Sequence, residues 1–116
     1  MWQILKAALA GIALMLGERN FRIHCIALIV VVGIAAFLGV SRIEWLLITM
    51  VAGGVFVLEA VNSAIERLCN VVHPDTHESI RDIKDIAAGA VLMMSGISAI
   101  VGLSIFLPYV VAMASV

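Results

Sequence analysis

Glu59, Asn62 and Glu66 fall within and at the end of a run, Trp45 to Ile65, that is otherwise almost entirely apolar. Their spacings are three and four, so on a helix they share one face. At about 100° per residue they occupy a stripe roughly 60° wide, with the two carboxylates about 10 Å apart along the axis. An ionisable group in hydrocarbon costs several kcal/mol, so it faces a bundle interior or a polar cavity and marks function. Two acids with an amide between them can hold a cation or provide a base.

These residues need a membrane scaffold. The chain has 116 residues, 64% hydrophobic and 13% charged, with a mean hydropathy of +1.19. A soluble domain is nearer half apolar, so an all-α integral membrane protein is expected, one domain over 1–116. Three apolar stretches, about 23–40, 43–65 and 86–109, match the roughly 20 residues that cross a bilayer. Residues 1–17 are expected to form an amphipathic surface helix, with Trp2, Leu5, Leu9, Ile12 and Leu16 near one face. A signal peptide fits less well, because little apolar sequence precedes Ala8-Leu9-Ala10 and charges follow soon after. Three helices make a thin bundle, so self-assembly is expected. A net charge of −1 and the lack of a basic run give no reason to expect a nucleic-acid partner.

The basic residues set an orientation. Lys6, Arg19 and Arg22 precede the first span, and Arg67, Arg81 and Lys84 lie between the second and third, while only Arg42 lies in the short turn between the first two. The positive-inside rule then places the N-terminus and the 67–85 segment in the cytoplasm. The Ser41–Glu44 turn faces outward, with Trp45 and Tyr109 as interfacial anchors. Glu59, Asn62 and Glu66 therefore sit in the inner half of the second span. The segment 72–85 reads as a polar loop. Cys25 and Cys69 have no metal-ligand spacing and read as buried free thiols.

Three polar clusters converge on the inner boundary: Glu18-Arg19-Asn20 with Arg22 and His24; Glu59, Asn62 and Glu66; and His77, Lys84 and Asp85. Mg²⁺ is usually held by one or two acids plus substrate phosphates, and lysine binds phosphate as a point charge. Acids and a lysine at lipid depth suggest phosphoryl transfer to a lipid hydroxyl, with one base aligned on the attacking oxygen. Against this, Glu18, Arg67 and Arg81 taken singly read as interfacial anchors, and His24 and His73 as boundary residues. Glu59 is harder to dismiss, being two turns deeper than Glu66. Gly53-Gly54 is followed by Val55 and Phe56, so there is no P-loop pattern.

The string Glu59-Ala-Val-Asn62-Ser-Ala-Ile-Glu66, followed by His77 and Lys84-Asp85, resembles the small prokaryotic diacylglycerol kinase and undecaprenol kinase family, and Glu18-Arg19-Asn20-Phe21-Arg22-Ile23-His24 matches its other motif. The likeness extends from about Gly11 to Pro108. It implies a homotrimer in the cytoplasmic (inner) membrane, three transmembrane helices and a surface helix per subunit, and active sites shared between subunits. It also implies ATP and Mg²⁺ as co-substrate and cofactor and a membrane lipid as acceptor. By the resemblance, Glu59 is the catalytic base and Asn62 supports it. Glu18 and Glu66 hold the metal, Lys84 and Asp85 contact the nucleotide, and Asp75, Thr76 and His77 surround the nucleoside. Asn70 stands where the family usually has aspartate, and an arginine before the surface helix has no counterpart, with Lys6 the cation that partly replaces it. The Glu18–His24 run is similar to the branch that prefers undecaprenol; the diacylglycerol branch carries an acid where His24 stands.

Two other classes compete. A small proton-coupled transporter also needs a buried glutamate, but needs neither Glu66 nor a Lys-Asp pair opening the third span. A structural membrane subunit has no use for Glu59.

Overall fold

A computed structural model describes residues 1–75 and 77–116. It contains four helices: α1 (Trp2–Leu16), α2 (Arg19–Leu38), α3 (Arg42–Val72) and α4 (Glu78–Ala114). The last three are long and apolar enough to cross a membrane. α3 and α4 form the closest pair, α2 packs chiefly on α3, and α1 packs mainly on α2. No residue of α1 is buried, as expected for a helix whose apolar face meets lipid rather than protein.

The connections are short and chemically specified. α2 ends at Gly39 in the left-handed region, φ 67°, a conformation that a residue without Cβ adopts at least cost. α3 then starts in a capping box: the Ser41 hydroxyl accepts from the Glu44 N–H, and the Glu44 carboxylate accepts from the Ser41 N–H. The expected Ser41–Glu44 turn is therefore already the first turn of a helix. The expected 72–85 loop is likewise shorter. α3 stops at Val72 because His73 precedes Pro74, which disfavours helical backbone. α4 begins at Glu78, with the His77 ring accepting from the Ser79 N–H as N-cap. α3 and α4 thus run on past the apolar belts, 31 and 37 residues long, and carry Glu66, Arg67, Asn70, Arg81, Lys84 and Asp85 on helical backbone. Pro108 sits inside α4, where it removes one backbone hydrogen bond.

The apolar core lies near the α2–α3 turn. Ala35, Val40, Ile48 and Ile105 cluster there, backed by Trp45, Phe106 and Tyr109. The Tyr109 hydroxyl donates to Glu44, so the two aromatics expected as interfacial anchors also close this end of the bundle. Few side chains are buried for a chain of this length, but two of them are polar: Glu59 and Ser63. The large apolar side chains left exposed on α2, α3 and α4 form a surface that water would not tolerate.

Candidate active site

Glu59 lies in α3 with its side chain 6% exposed, and His24 of α2 faces it with Nε2 3.3 Å from the Glu59 carboxylate. The two helices run antiparallel, so moving along α2 to Glu18 means moving on to Ser63 and Arg67 of α3. There Glu18 accepts from the Ser63 hydroxyl and from Arg67 Nη2 at 2.9 Å. Glu18 is the N-cap residue of α2 by position, yet it makes no cap hydrogen bond; its carboxylate is spent across the helix interface. The Ser63 hydrogen bond, then Arg67, hold its pKa below the usual carboxylate range against a smaller opposing effect of desolvation.

Asn62 is one turn beyond Glu59 on α3, and its Oδ1 is buried without a hydrogen-bond partner among the described residues. A buried acceptor left so costs about 1–3 kcal/mol, which makes this the place where a donor from outside the chain is wanted. Farther along α3, Asn70 Oδ1 accepts from Lys84 Nζ at 2.7 Å, which ties α3 to the first turns of α4. Beside that contact a small polar hollow of about 210 Å³ is lined by His73, Asp75, His77, Arg81 and Lys84 among others. His77 Nδ1 accepts from the Ser79 N–H, so in the neutral ring the proton sits on Nε2. His73 Nδ1 is 3.0 Å from the Asp75 carbonyl oxygen, which can only accept, so His73 carries its proton on Nδ1. The two rings are 5.0 Å apart.

The expected site residues are therefore brought together in groups. Glu59 and Asn62 are adjacent on α3; Glu18 is close by through Ser63; Asp75, His77 and Lys84 border one hollow. Glu66, Asp85 and Lys6 are exposed, and among the described residues they make no ion pair. Thr76 lies outside the described residues. Among the described residues no group of three His, Cys, Asp or Glu side chains is placed to hold a metal ion. The donors expected for the metal, Glu18 and Glu66, are all-oxygen and suit Mg²⁺, which needs only one or two protein acids when phosphates complete its shell.

Three participants were missed as such by sequence reading. His24 and Arg67 read as boundary charges, and Ser63 was not singled out. A signal existed for Ser63 and Arg67, which continue at i+4 and i+8 from Glu59. None existed for His24, whose partner is set by the pairing of α2 with α3. An open apolar groove of about 540 Å³ starts at His24 and continues between α2, α3 and α4 to Ile34, Ile48 and Phe106.

The comparisons with known proteins place the sequence in a family. The sequence profile of the prokaryotic diacylglycerol kinase family matches residues 6–106. A protein named undecaprenol kinase from Bacillus subtilis is 42% identical over 91 residues, covering 78% of this chain and 74% of its own. A protein named diacylglycerol kinase from Synechocystis is 35% identical over 92 residues, covering 78% of this chain and 53% of its own. No solved structure matches the chain. With a match over most of its length and the motif acids gathered at one end of three membrane-length helices, the chain belongs to the prokaryotic diacylglycerol kinase family, a family of lipid kinases.

Proposed function

We propose that the protein transfers the γ-phosphoryl group of ATP to the hydroxyl of a membrane lipid, diacylglycerol or undecaprenol, with Glu59 as general base. One observation carries this reading. A carboxylate that is almost fully buried stands beside His24, where an apolar groove begins. From His24 to Ile34 the groove follows ten residues of α2, about 15 Å of helix. A lipid chain laid in it brings its hydroxyl to the end where Glu59 sits, and a soluble nucleotide reaches the same end through the polar groups of α3 and α4.

In this reading Glu59 takes the hydroxyl proton as the oxygen attacks phosphorus, and ADP leaves. Asn62, with its unpartnered Oδ1, is the acceptor that orients a substrate donor beside the base. Lys84 meets the phosphates, Asp85 supports it, and Asp75 and His77 border the nucleoside. Glu18 and Glu66 are the acids that would hold Mg²⁺, which, bound with ATP, neutralises the developing phosphate charge. Glu18 must then yield part of its present contacts to Ser63 and Arg67. Lys6, on α1, is the surface-helix cation nearest in sequence to this role. The site is read as facing the cytoplasm from the inner membrane, because the basic residues collect at this end.

A homotrimer is part of the proposal. The single chain buries few side chains and leaves apolar faces on α2, α3 and α4, which a second and third copy would partly cover. Glu66 and Asp85, exposed here, would then meet a neighbour or the nucleotide. Mixed trimers of Glu59→Gln and Glu18→Gln test the sharing. Partial recovery of activity is expected if the two acids of one site come from different chains. Cross-linking that finds only monomers in an active preparation would overturn the trimer.

Undecaprenol is the favoured acceptor, since the relative bearing that name shares more identity with this chain than the relative named diacylglycerol kinase. The transporter reading shares the buried Glu59, but no observation favours it over the kinase reading. Purified protein in mixed micelles, given γ-labelled ATP and each lipid separately, tests the proposal. Label is expected in the lipid phase with both and faster with undecaprenol. No label in either lipid would end the kinase reading for this chain.

A further inference from the structure

We propose that His24 is a positioning residue that holds the Glu59 carboxylate turned toward the lipid hydroxyl; the inference rests on Glu59 being the base. His24 Nε2 is 3.3 Å from Glu59 Oε2, so the contact occupies one carboxylate oxygen and leaves Oε1 for the substrate. Among the described residues no Lys or Arg is within ion-pair distance of Glu59, and Arg67 is engaged with Glu18. Asn62 and Ser63 follow on the same helix, and Ser63 is already committed to Glu18; Ser95 and Ser98 of α4 line the groove together with His24.

The imidazole is itself held. Its ring meets Phe56 edge-on at 6.3 Å, and Phe56 is fixed in turn by an edge-on contact with Phe21 at 5.2 Å. Phe56 is three residues before Glu59 on α3, and Phe21 three before His24 on α2. One aromatic contact thus locks the helix pair at the level of the dyad. The His24 side chain is 28% exposed and forms part of the groove wall, so it stands between the incoming lipid and the base without closing the way.

The physical need is clear. A general base acts only when its free oxygen is aimed at the hydroxyl proton it takes. A donor at Nε2, 3.3 Å from Oε2, fixes the direction of the other carboxylate oxygen. Partners that orient metal-ligating side chains are worth about 10–100-fold in activity, and the same range is expected for a partner that orients a base.

The test compares three substitutions in detergent-purified protein, with kcat and KM measured for ATP and for lipid. His24→Leu removes the donor and is expected to lower kcat about 10–100-fold while both KM values stay within about twofold. His24→Gln places an amide N–H where Nε2 was and is expected to recover kcat to within about fivefold of wild type. His24→Asn is polar but too short, and is expected to behave like His24→Leu; it stands in if the leucine variant fails to fold. A merely structural histidine would not show rescue by glutamine and failure by asparagine. The inference is overturned if His24→Leu or His24→Asn keeps kcat near wild type, if glutamine falls as far as asparagine, or if the loss appears only in KM. Glu59→Gln, run alongside, separates the two levels: if it stays active, the base assignment itself fails, whatever His24 does.

Discussion

The two ends of the helix bundle are built on opposite plans. At the α2–α3 turn, polar groups are few and three of them answer one another: Ser41 and Glu44 cap α3, and Glu44 also takes the Tyr109 hydroxyl. Around them Ala35, Val40, Ile48 and Ile105 form the core. At the α3–α4 loop end, polar groups are many and several are left open. Asn62 has a buried acceptor without a donor, Glu66 and Asp85 are exposed, and Glu59 is buried against a single half-buried histidine. The same four helices are therefore closed at one end for stability and open at the other for chemistry. The contrast between Glu44 and Glu59, two acids on one helix, states it most compactly.

The largest expected effect separates those two acids. Glu59→Gln should lower turnover about 10²–10⁴-fold, the usual cost of removing a general base, whereas Glu44→Gln should leave turnover near wild type. Steady-state lipid phosphorylation of both variants checks this, and equal losses would erase the distinction between the ends. Next come the acids proposed to hold the metal. Glu66→Gln and Glu18→Gln should each raise the Mg²⁺ needed for half-maximal activity and weaken ATP binding. Unchanged Mg²⁺ titrations in both would return these acids to the role of interfacial charges. At the closed end, Ile48→Ala should cost stability without changing kcat. Its cost should fall at or below the low end of the about 2–5 kcal/mol seen in soluble cores, because lipid replaces water as the alternative environment and mainly the cavity term remains. Thermal unfolding in detergent measures it; a loss of kcat in folded protein would show the closed end to be part of the site.

The smallest effect is one of pH. The pKa of Glu18 is lowered in the folded chain, so its contribution to stability is complete above the ordinary carboxylate value of about 4.5 and is lost as pH falls through the lower folded value. Wild type should therefore lose more thermal stability than Glu18→Gln between pH 6 and pH 3, on the order of the range over which carboxylates titrate. Parallel curves would mean that the contacts of Glu18 to Ser63 and Arg67 carry no net stability.

Much of this was legible in the sequence, for reasons that can be named. Apolar runs of membrane length fix three helices, and two acids and an amide at spacings of three and four in such a run point to a candidate functional face. The α3 start was legible too, since Ser41-x-x-Glu44 is a capping box, but the polar letters around it suggested a turn. The same bias lengthened the 72–85 loop: Glu78–Asp85 is polar yet helical, because a solvated helix end needs no apolar stripe. What could not be read was pairing between helices. His24 meets Glu59 and Glu18 meets Arg67 only through the register of α2 against α3, and register leaves no periodic trace in either helix alone. Gly54 is similar. Its closeness to Met94, whose Cε is 2.5 Å from where a Cβ would stand, belongs to the α3–α4 contact and not to a local motif.

The central claim, that Glu59 acts in the chemical step, is tested most directly by a single-turnover measurement. Wild type and Glu59→Gln are loaded with Mg²⁺ and labelled ATP, ATP affinity is measured separately, and lipid is added in excess. The account predicts an ATP affinity within about twofold of wild type and a single-turnover rate at least about 100-fold lower. A single-turnover rate within a few-fold of wild type, in folded protein that binds ATP normally, would contradict it.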